Sequence, residues 1–450
     1  MRVLIDKALQ NASRWALAAV AVASVTVLAA GCGSSPSPAP RRAVPVIEVS
    51  RGCAGQNAEV QQAVDLPYVY EAWIGCGGIG FARSVDGGRA FDRPVLVPGS
   101  AGARPVRVGD RIVRKAGWDP AIAVSPGGAV YVSFMITRNG YNFPRVASSL
   151  DHGASFARVS AAMPPTRDKH NWGDRDFIAV APDGTIYLTW DFGLDVRSPD
   201  GNVVVQKSTD GGRTWSQVTP VSPGYPSRGG GVAAPLLAGP GGRIDVLFWV
   251  AHDPGLRGYA LPPGHDYFTT SADGGRTWSR PVALDPGAGQ ITGASVAWID
   301  ASLGIDSAGV LYATWDTQQP GGDIGWLSYS TDHGRTWSPA RRVTPGGGTA
   351  EHIMAVTGWR AGTADIGWLS NDSRHGFAAY LRAFSIRHGW LSGPIRASAT
   401  FGDPGVWPGD TIGISVLGGP PARDPRVMLS WGSAPPGTRT SQIWAAQVRP

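Results

Sequence analysis

A motif of eight residues recurs at near-constant spacing and constrains the fold of this chain more than any other feature. Its clearest copies read STDGGRTW, SADGGRTW and STDHGRTW, and the last of the six copies lacks the aspartate. The copies begin at Ser84, Ser149, Ser208, Ser271, Ser330 and Ser385, which gives intervals of 65, 59, 63, 59 and 55 residues. Such a period predicts an array of similar supersecondary units.

The chemistry of the motif is that of a hairpin turn. An aspartate side chain can accept hydrogen bonds from backbone N–H groups within a turn. The glycine at the fifth position supplies a backbone conformation that other residues resist, and the closing Trp or Phe opens the next strand. We therefore interpret the aspartates of the five intact copies as structural. They are Asp86, Asp151, Asp210, Asp273 and Asp332.

A second series of short runs, rich in β-branched and aromatic residues, predicts the number of units. Each run ends in an aromatic residue, and the mean step between the endings is about 60 residues (358/6). The seven endings are Trp73, Phe134, Trp190, Trp249, Trp315, Trp368 and Trp431. Each unit is then predicted to run strand, turn, strand, long loop, strand, motif turn, strand.

Four antiparallel strands repeated radially predict an all-β fold, a single β-propeller of seven four-stranded blades, with six blades as the alternative. Residues 44–450 number 407, or about 58 for each of seven blades. The last unit ends at 442–449, one strand short, whereas 44–49 (VPVIEV) is a spare strand. We therefore expect the N-terminal strand to close the ring as the outer strand of the seventh blade, which protects an open edge.

The N-terminal segment is typical of an export signal. Arg2, Lys7 and Arg14 precede an apolar run over 16–30, which is too short to span a bilayer comfortably. The run ends in LAAGC, which resembles a bacterial lipobox, and Cys32 is its cysteine. We predict a lipoprotein signal peptide (1–31), a flexible tether (32–43) after lipidated Cys32, and the propeller (44–450). The alternative is an ordinary signal peptide with a chance cysteine.

This prediction places the protein outside the cell, lipid-anchored to the outer face of the bacterial cytoplasmic membrane. Without residues 1–31 the chain has 37 Lys and Arg (40 − 3) against 33 Asp and Glu (34 − 1), a net charge of +4. So small a charge argues against nucleic-acid binding. We expect a monomer that contacts the membrane through its lipid alone.

Two cysteines remain beyond Cys32. An even pair in an oxidising compartment favours a Cys53–Cys76 disulfide, and the alternative is two buried thiols. Gly and Pro make up 99 of 450 residues while the apolar content is 42%. This composition is typical of many short strands joined by tight turns and argues against disorder.

The S-x-D-x-G-x-T-W motif resembles the Asp box, or bacterial neuraminidase repeat, of the sialidase superfamily. The resemblance covers nearly the whole chain after the tether. Similar boxes occur in sortilin-type receptors, a photosystem assembly factor and xyloglucan-degrading glycosidases, so the fold does not imply one activity. Sialidases, which this motif resembles, use three arginines that clamp a carboxylate, an Asp acid/base, and a Tyr activated by a Glu.

Part of the sialidase pattern is missing here. The first clamp arginine belongs to an Arg-Ile-Pro segment, but residues 44–81 contain only Arg51 and no such segment. The resemblance implies Glu351, Arg360 and Tyr380 as counterparts of the nucleophile pair and one clamp. The alternative is that these three are strand-end and surface residues.

Loops on a rigid scaffold commonly carry the binding chemistry, and here they lie opposite the motif turns. Two carboxylates across the axis can act as acid and nucleophile or base in glycoside cleavage, and Trp side chains can stack on sugars. Alternatively, the acids bond backbone amides and the Trp residues fill wedges between blades. The catalytic candidates are Asp176, Glu351, Asp119, Arg360 and Tyr380. The ligand-binding candidates are Trp118, Trp172, Asp174, Arg175, Asp191 and Asp253, and Asp316 is a further acid at the same mouth.

Two function classes remain open. The first is a surface module whose loop face binds a glycan, a peptide or a protein partner. The second is an exo-acting glycoside hydrolase of sialidase-like type. His170, His252 and His265 lie near aspartates but lack a recognised metal-ligand spacing, so we predict no metal and no cofactor.

Overall fold

Seven antiparallel sheets follow one another in sequence order, and each is one blade of a β-propeller. The prediction of seven blades is confirmed, and the six-bladed alternative is wrong. The described part of the chain contains one helical turn, the 3-10 turn Pro240–Gly242. The computed structural model describes residues 44–102, 106–108, 111–113, 117–138, 141–162, 173–192, 202–221, 231–232, 235–251, 264–284, 301–317, 323–345, 351–372, 376–398, 402–403, 405–418 and 426–450.

The strands of each blade are given from the inner to the outer strand. Blade 1 contains Ala58–Asp65, Tyr68–Gly75, Gly78–Ser84 and Val95–Leu96. Blade 2 contains Trp118–Val124, Val130–Arg138, Tyr141–Ser149 and Arg158–Ala161. Blade 3 contains Gly173–Val180, Ile186–Phe192, Asn202–Ser208 and Thr219–Pro220. A hairpin of Val106–Val108 and Arg111–Val113 lies between blades 1 and 2 in the sequence.

The remaining blades repeat this order. In blade 4, Gly231–Val232 and Leu236–Ala238 both pair with Ile244–Ala251, which is followed by Gly264–Ser271 and Val282–Ala283. Blade 5 contains Ser302–Ile305, Leu311–Thr317, Ile324–Ser330 and Arg341–Arg342. Blade 6 contains Glu351–Gly358, Thr363–Asp372 and Gly376–Ser385. Two short outer strands, Gly389–Trp390 and Ile395–Arg396, both pair with Gly376–Ser385. Blade 7 contains Gly413–Leu417, Arg426–Ser433, Gln442–Val448 and Val46–Glu48.

The aromatic residues that mark the seven units lie in the second strands and are buried. Trp73, Trp190, Trp368 and Trp431 are among the largest fully buried side chains, together with Phe134. Burying so large an apolar side chain contributes about 1.5–3 kcal/mol each. The repeated aromatic therefore fills the same position between neighbouring sheets in successive blades.

The ring closes through the N-terminal strand, as predicted. Val46–Glu48 pairs antiparallel with Gln442–Val448, with Val46 opposite Ala446 and Glu48 opposite Trp444. The predicted disulfide between Cys53 and Cys76 is confirmed, with the two Cα atoms 4.8 Å apart. It joins the segment after the closing strand to blade 1, so the two ends of the ring are tied together covalently and through backbone hydrogen bonds.

A buried carboxyl group lies at the junction of blades 1 and 7. Glu71 is fully buried in the second strand of blade 1. Gln62 Nε2 donates to Glu71 Oε1 at 2.6 Å, and Ser430 Oγ of blade 7 lies 2.9 Å from Oε2. Desolvation raises the pKa of Glu71 to about 8 and outweighs the two hydrogen bonds, which lower the pKa. Glu71 is therefore mostly protonated at neutral pH.

Candidate functional site

The two ends of the blades carry different kinds of turn. The Asp-box turns join third and fourth strands and contact the turns between first and second strands: Gly87 N donates to Pro67 O at 2.8 Å, and Gly274 N donates to Gly242 O at 2.8 Å. We call this end the box face. At the other end, which we call the mouth, the first strands begin and the loops between second and third strands emerge.

The box turns repeat one set of hydrogen bonds. In the fifth box, Thr336 donates from its backbone N to Asp332 Oδ1 at 2.9 Å and from Oγ1 to Oδ2 at 2.6 Å. Ser330 Oγ accepts from Gly334 N at 2.8 Å and donates to Asp332 Oδ1 at 2.8 Å. These carboxylates bond backbone amides of their own turns, which is a structural arrangement. Asp86, Asp151, Asp210 and Asp273 make equivalent bonds.

These hydrogen bonds favour the ionised form of the box carboxylates. In Asp151, hydrogen bonds from Ser155 and Ser149 hold the pKa well below its ordinary value. In Asp332, partial desolvation raises the pKa, but bonds from Thr336 and Ser330 outweigh it and lower the pKa to about 2. The sixth copy has no aspartate, and its Ser385 Oγ accepts from His388 N at 3.4 Å.

At the mouth, the first strands of blades 1, 2 and 3 share an unusual backbone feature. Each strand carries a β-bulge near its beginning. Glu59, Asp119 and Arg175 lie in these bulges with φ angles of 53°, 48° and 53°. Positive φ is costly for residues with a Cβ, and such strain clusters at functional sites. Three successive blades therefore hold a charged residue in a strained conformation at the same end of the ring.

These residues line one small cavity, about 20 Å³ in volume, that opens to solvent. Three residues that the sequence analysis selected, Asp119, Arg175 and Asp176, meet here. Asp176 is 2% exposed, and Glu59 is 4% exposed. The full lining consists of Glu59, Gln61, Asp119, Pro120, Arg175, Asp176, Phe177, Asp410 and Thr411.

Arg175 is held through both its backbone and its side chain. Its backbone N donates to Asp119 Oδ2 at 2.9 Å, and its guanidinium Nη2 lies 3.1 Å from Asp410 Oδ2. Trp407 Nε1 donates to the other oxygen of Asp410 at 2.9 Å. This network joins blades 2 and 3 to the segment that enters blade 7, so it fixes the guanidinium within the cavity.

The cavity combines four carboxyl side chains with one guanidinium among its described lining residues. Carboxylate oxygens accept hydrogen bonds, and the guanidinium donates them. Such a lining can bind sugar hydroxyl groups or a cation. Its described lining contains one arginine, whereas the sialidase resemblance implies a clamp of three.

Four lining residues were not predicted from the sequence: Glu59, Gln61, Asp410 and Thr411. A signal for Asp410 was present: a Trp precedes an acid by one to three positions at or shortly before the start of several first strands, as in Trp118–Asp119, Trp172–Asp174 and Trp407–Asp410. Glu59 has no such signal. Its place in the cavity depends on the approach of blade 7, where Pro408 O accepts from Glu59 N at 3.3 Å.

The structure places Glu351, Arg360 and Tyr380 at different levels of blade 6. Glu351 begins the first strand of blade 6 at the mouth, and that eight-residue strand spans roughly 24 Å. Arg360 follows it in the turn at the box face, where its guanidinium stacks over Trp359. Tyr380 lies within the third strand, and its ring stacks on Trp368 with 5.4 Å between centroids.

The other site residues proposed from the sequence lie away from this cavity or outside the described residues. Trp118 is half-buried and packs against the apolar cluster between blades 2 and 3. Asp316 is buried in the second strand of blade 5. The backbone of Asp174 pairs with that of Asp191 across the first two strands of blade 3. Cys32, Trp172, Asp253, His170 and His252 lie outside the described residues, and His265 lies in a strand of blade 4.

In the part of the chain that the structure describes, no group of three or more His, Cys, Asp or Glu side chains could hold a metal ion. Over the same residues, no helix has both the length and the apolar character needed to cross a membrane.

Comparisons with known proteins agree with the motif and the fold. Residues 328–339, which contain the fifth box, match the BNR/Asp-box repeat family. A sialidase of Micromonospora viridifaciens is 29% identical over 252 residues, which cover 48% of this chain and 37% of that protein. The chain is a sialidase-like Asp-box β-propeller. The match spans little more than a third of the length of the curated relative.

Solved structures resemble the propeller over most of its length. An ulvan lyase of a polysaccharide lyase family, bound to a GlcA–Rha3S saccharide, has a TM-score of 0.57 at 14% identity and covers 90% of this chain and 96% of its own. A Hadza microbial sialidase has a TM-score of 0.50 at 14% identity and covers 83% and 74%. At such identities these likenesses show the fold alone.

Proposed function

We propose that this Asp-box propeller is a cell-surface recognition module whose mouth binds a neutral glycan. The observation that carries the proposal is the charge of the cavity. Among the described lining residues, four acids (Glu59, Asp119, Asp176 and Asp410) accompany one arginine, and the guanidinium of Arg175 already bonds Asp410. An anionic sugar would bring its carboxylate against this excess of acids, whereas neutral sugar hydroxyls donate to carboxylate oxygens.

The backbone of the mouth supports the same proposal. Glu59, Asp119 and Arg175 keep strained φ angles in three successive blades. Such conformations persist where surrounding structure enforces them, and they preorganise side chains for binding. A cavity whose polar groups are fixed before the ligand arrives loses less entropy when the ligand binds.

The proposal includes display at the cell surface. The lipobox ending at Cys32 and the tether that follows support a lipid-anchored protein on the outer face of the cytoplasmic membrane. Metabolic labelling with a radioactive fatty acid tests this point. Label should enter the wild-type chain and be absent from Cys32→Ser, which should leave the membrane fraction or remain unprocessed. Unchanged membrane association of Cys32→Ser would remove the anchor from the proposal.

Calorimetry with neutral oligosaccharides, 3′-sialyllactose and a lysine-rich peptide tests the ligand class. We expect binding of a neutral oligosaccharide and none of sialyllactose. Asp119→Asn and Asp176→Asn should weaken binding at least tenfold, because each removes a charged acceptor worth about 1.5–3 kcal/mol. Asp332→Asn at the box face is the matched control and should keep its affinity. Tighter binding of sialyllactose or of the peptide would refute the neutral-glycan proposal.

A glycoside hydrolase is the second candidate. Its support is that Asp119 and Asp176 line one cavity in a chain 29% identical to a sialidase over 252 residues. A panel of fluorogenic glycosides, including a sialoside, separates the two candidates. Turnover that is lost in both Asp119→Asn and Asp176→Asn but kept in Asp332→Asn would favour the enzyme. Binding without turnover of any glycoside would favour the recognition module.

A further inference from the structure

Two buried carboxyl groups, Glu71 and Asp365, occupy the same place in different blades. Each lies in a second strand, two residues beyond the residue that pairs with the first serine of the motif, Ser84 in blade 1 and Ser385 in blade 6. The equivalent positions of blades 2 to 5 carry buried aliphatic side chains. They are Val132, Leu188, Val246 and Ala313.

Glu71 faces blade 7. Ser430 Oγ of blade 7 lies 2.9 Å from Glu71 Oε2. Trp73, two residues further on and on the same face of the strand, packs in one apolar cluster with Met428 and Ile443 of blade 7. The carboxyl group of Glu71 therefore lies within the interface between blades 1 and 7.

Asp365 faces blade 7 from the opposite side. Residues two apart in a strand share a face. A Cβ atom at Gly367 would lie 2.6 Å from Leu429 Cδ1 of blade 7, and Leu369 packs in one apolar cluster with Leu429. Trp368, on the other face of the strand, packs towards blade 5. Blade 7 therefore has a buried carboxyl group against each of its two sides.

Both carboxyl groups are buried in surroundings that favour their neutral forms. Gln62 and Ser430 bond Glu71, but burial outweighs these bonds and raises the pKa of Glu71 to about 8. Asp365 Oδ2 has no hydrogen-bond partner among the described residues, and burial raises the pKa of Asp365 to about 7. An ionised carboxylate in either interface is costly because it is desolvated.

The described arginines on the neighbouring strands are directed to other partners. Arg83 Nε bonds Asp92 at 2.9 Å, Arg382 Nη1 donates to Val343 O of blade 5 at 3.0 Å, and Arg426 Nη1 donates to a glutamine of blade 7. Other acids and histidines of the packed strands lie at or next to strand ends. They are Glu48, Glu59, Asp65, Glu351, His352 and Asp372.

We propose that blade 7 is a pH-sensitive closing element of the ring: protonated Glu71 and Asp365 hold it between blades 6 and 1, and their ionisation loosens both interfaces. Asp410 lies just before the first strand of blade 7, so loosening separates it from Arg175 and opens the cavity at the mouth. The disulfide at Cys53 keeps the segment after the closing strand on blade 1, which allows the blade to return. The effect on the cavity as a binding site rests on the proposed function, whereas the loosening does not.

Hydrogen exchange followed by mass spectrometry measures the loosening without a ligand, so failure of the glycan proposal would leave this test intact. The protein is the chain from residue 32 carrying Cys32→Ser. Peptides over 405–418, 426–433 and 442–448 report on blade 7, and peptides over 173–192 report on blade 3. Dividing the intrinsic exchange rate by the measured rate at each pH gives a protection factor from which the chemical effect of pH is removed.

The closed blade holds protons that the open blade releases, so protection should fall as the pH rises. Between about pH 5 and 7 the protection factors of blade 7 should fall about tenfold for each pH unit and each carboxyl group. They should also lie below those of blade 3 at pH 7, since a local opening needs less free energy than global unfolding. Equal protection of blades 3 and 7 at every pH would show that the ring opens as a whole and would overturn the proposal.

Substitutions assign the effect to the two carboxyl groups. Glu71→Gln and Asp365→Asn should each halve the dependence of the logarithm of protection on pH, and the double variant should abolish it. Asp365→Ala, which places the alanine of Ala313 in blade 6, should give the same dependence as Asp365→Asn even if its stability differs. Asp245→Asn is the control, because Asp245 is a buried acid of a second strand in blade 4, bonded to Arg243 at 3.0 Å. It should keep the wild-type dependence in blade 7, and an unchanged dependence in the double variant would refute the proposal.

Discussion

Replacing Glu71 by Gln should make the propeller more stable at alkaline pH and flatten its dependence on pH. The side chain is fully buried where blade 1 meets blade 7, and burial raises its pKa to about 8. In the unfolded chain the pKa of a glutamate is about 4.3. Between these two values the folded state holds one more proton than the unfolded state.

The sign and size of the effect follow from this difference. A raised folded-state pKa gives stability that is complete below about pH 4 and is lost as the pH rises towards 8. Within that window the free energy of unfolding should fall by about 1.4 kcal/mol for each pH unit. Glutamine keeps the shape of the protonated acid: its carbonyl can accept from Gln62, and its amide can donate to Ser430 Oγ.

Urea denaturation of the wild type and Glu71→Gln between pH 5.5 and 8.5 measures this effect. The difference between the two free energies of unfolding isolates Glu71 from other titrating groups. Gln62→Ala in the Glu71→Gln background checks that the amide occupies the same site, because it should lower stability there at every pH. Parallel stability curves for the wild type and Glu71→Gln would show that Glu71 is ionised in the folded protein, and the argument from burial would fail.

Three further predictions concern the turns, the ring closure and the cavity. Asp332→Ala should lower the free energy of unfolding by about 1–3 kcal/mol at pH 7; because the folded pKa is about 2, the loss should shrink as the pH falls from 4 to 2, and a constant loss in thermal melts would contradict this. Cys53→Ser with Cys76→Ser should lower stability by about 3 kcal/mol, measured by denaturant, and an unchanged midpoint would show that the strand alone secures the closure. Asp410→Asn should weaken glycan binding at least fivefold with little change in melting temperature, because it removes the ion pair that positions the guanidinium of Arg175. Asp410→Glu should recover part of the affinity. Equal affinity of the wild type and Asp410→Asn would show that this ion pair does not contribute to binding.

The sequence predicted the architecture because the propeller is built from local patterns. The Asp-box turn depends on residues within eight positions of one another, and Asp332 and Thr336 meet without help from another blade. The alternating pattern of the second strands, with a buried aromatic such as Trp73 or Trp431, is also a local signal. The missing last strand and the spare strand at 44–49 then indicated a closure that the pairing of Val46 with Ala446 confirms.

The tertiary structure alone determined which charged residues share a cavity. Asp119 and Asp410 are 291 positions apart in the sequence (410 − 119), yet both contact Arg175. Glu59 and Gln61 line the cavity because of a β-bulge and the packing of neighbouring blades, and no sequence motif indicates either feature. The same limit applies to Glu351, Arg360 and Tyr380, which are close in sequence but lie at different levels of blade 6. Local sequence fixes turns and strands because their hydrogen bonds are short-range, whereas a site on the axis depends on how separate blades meet.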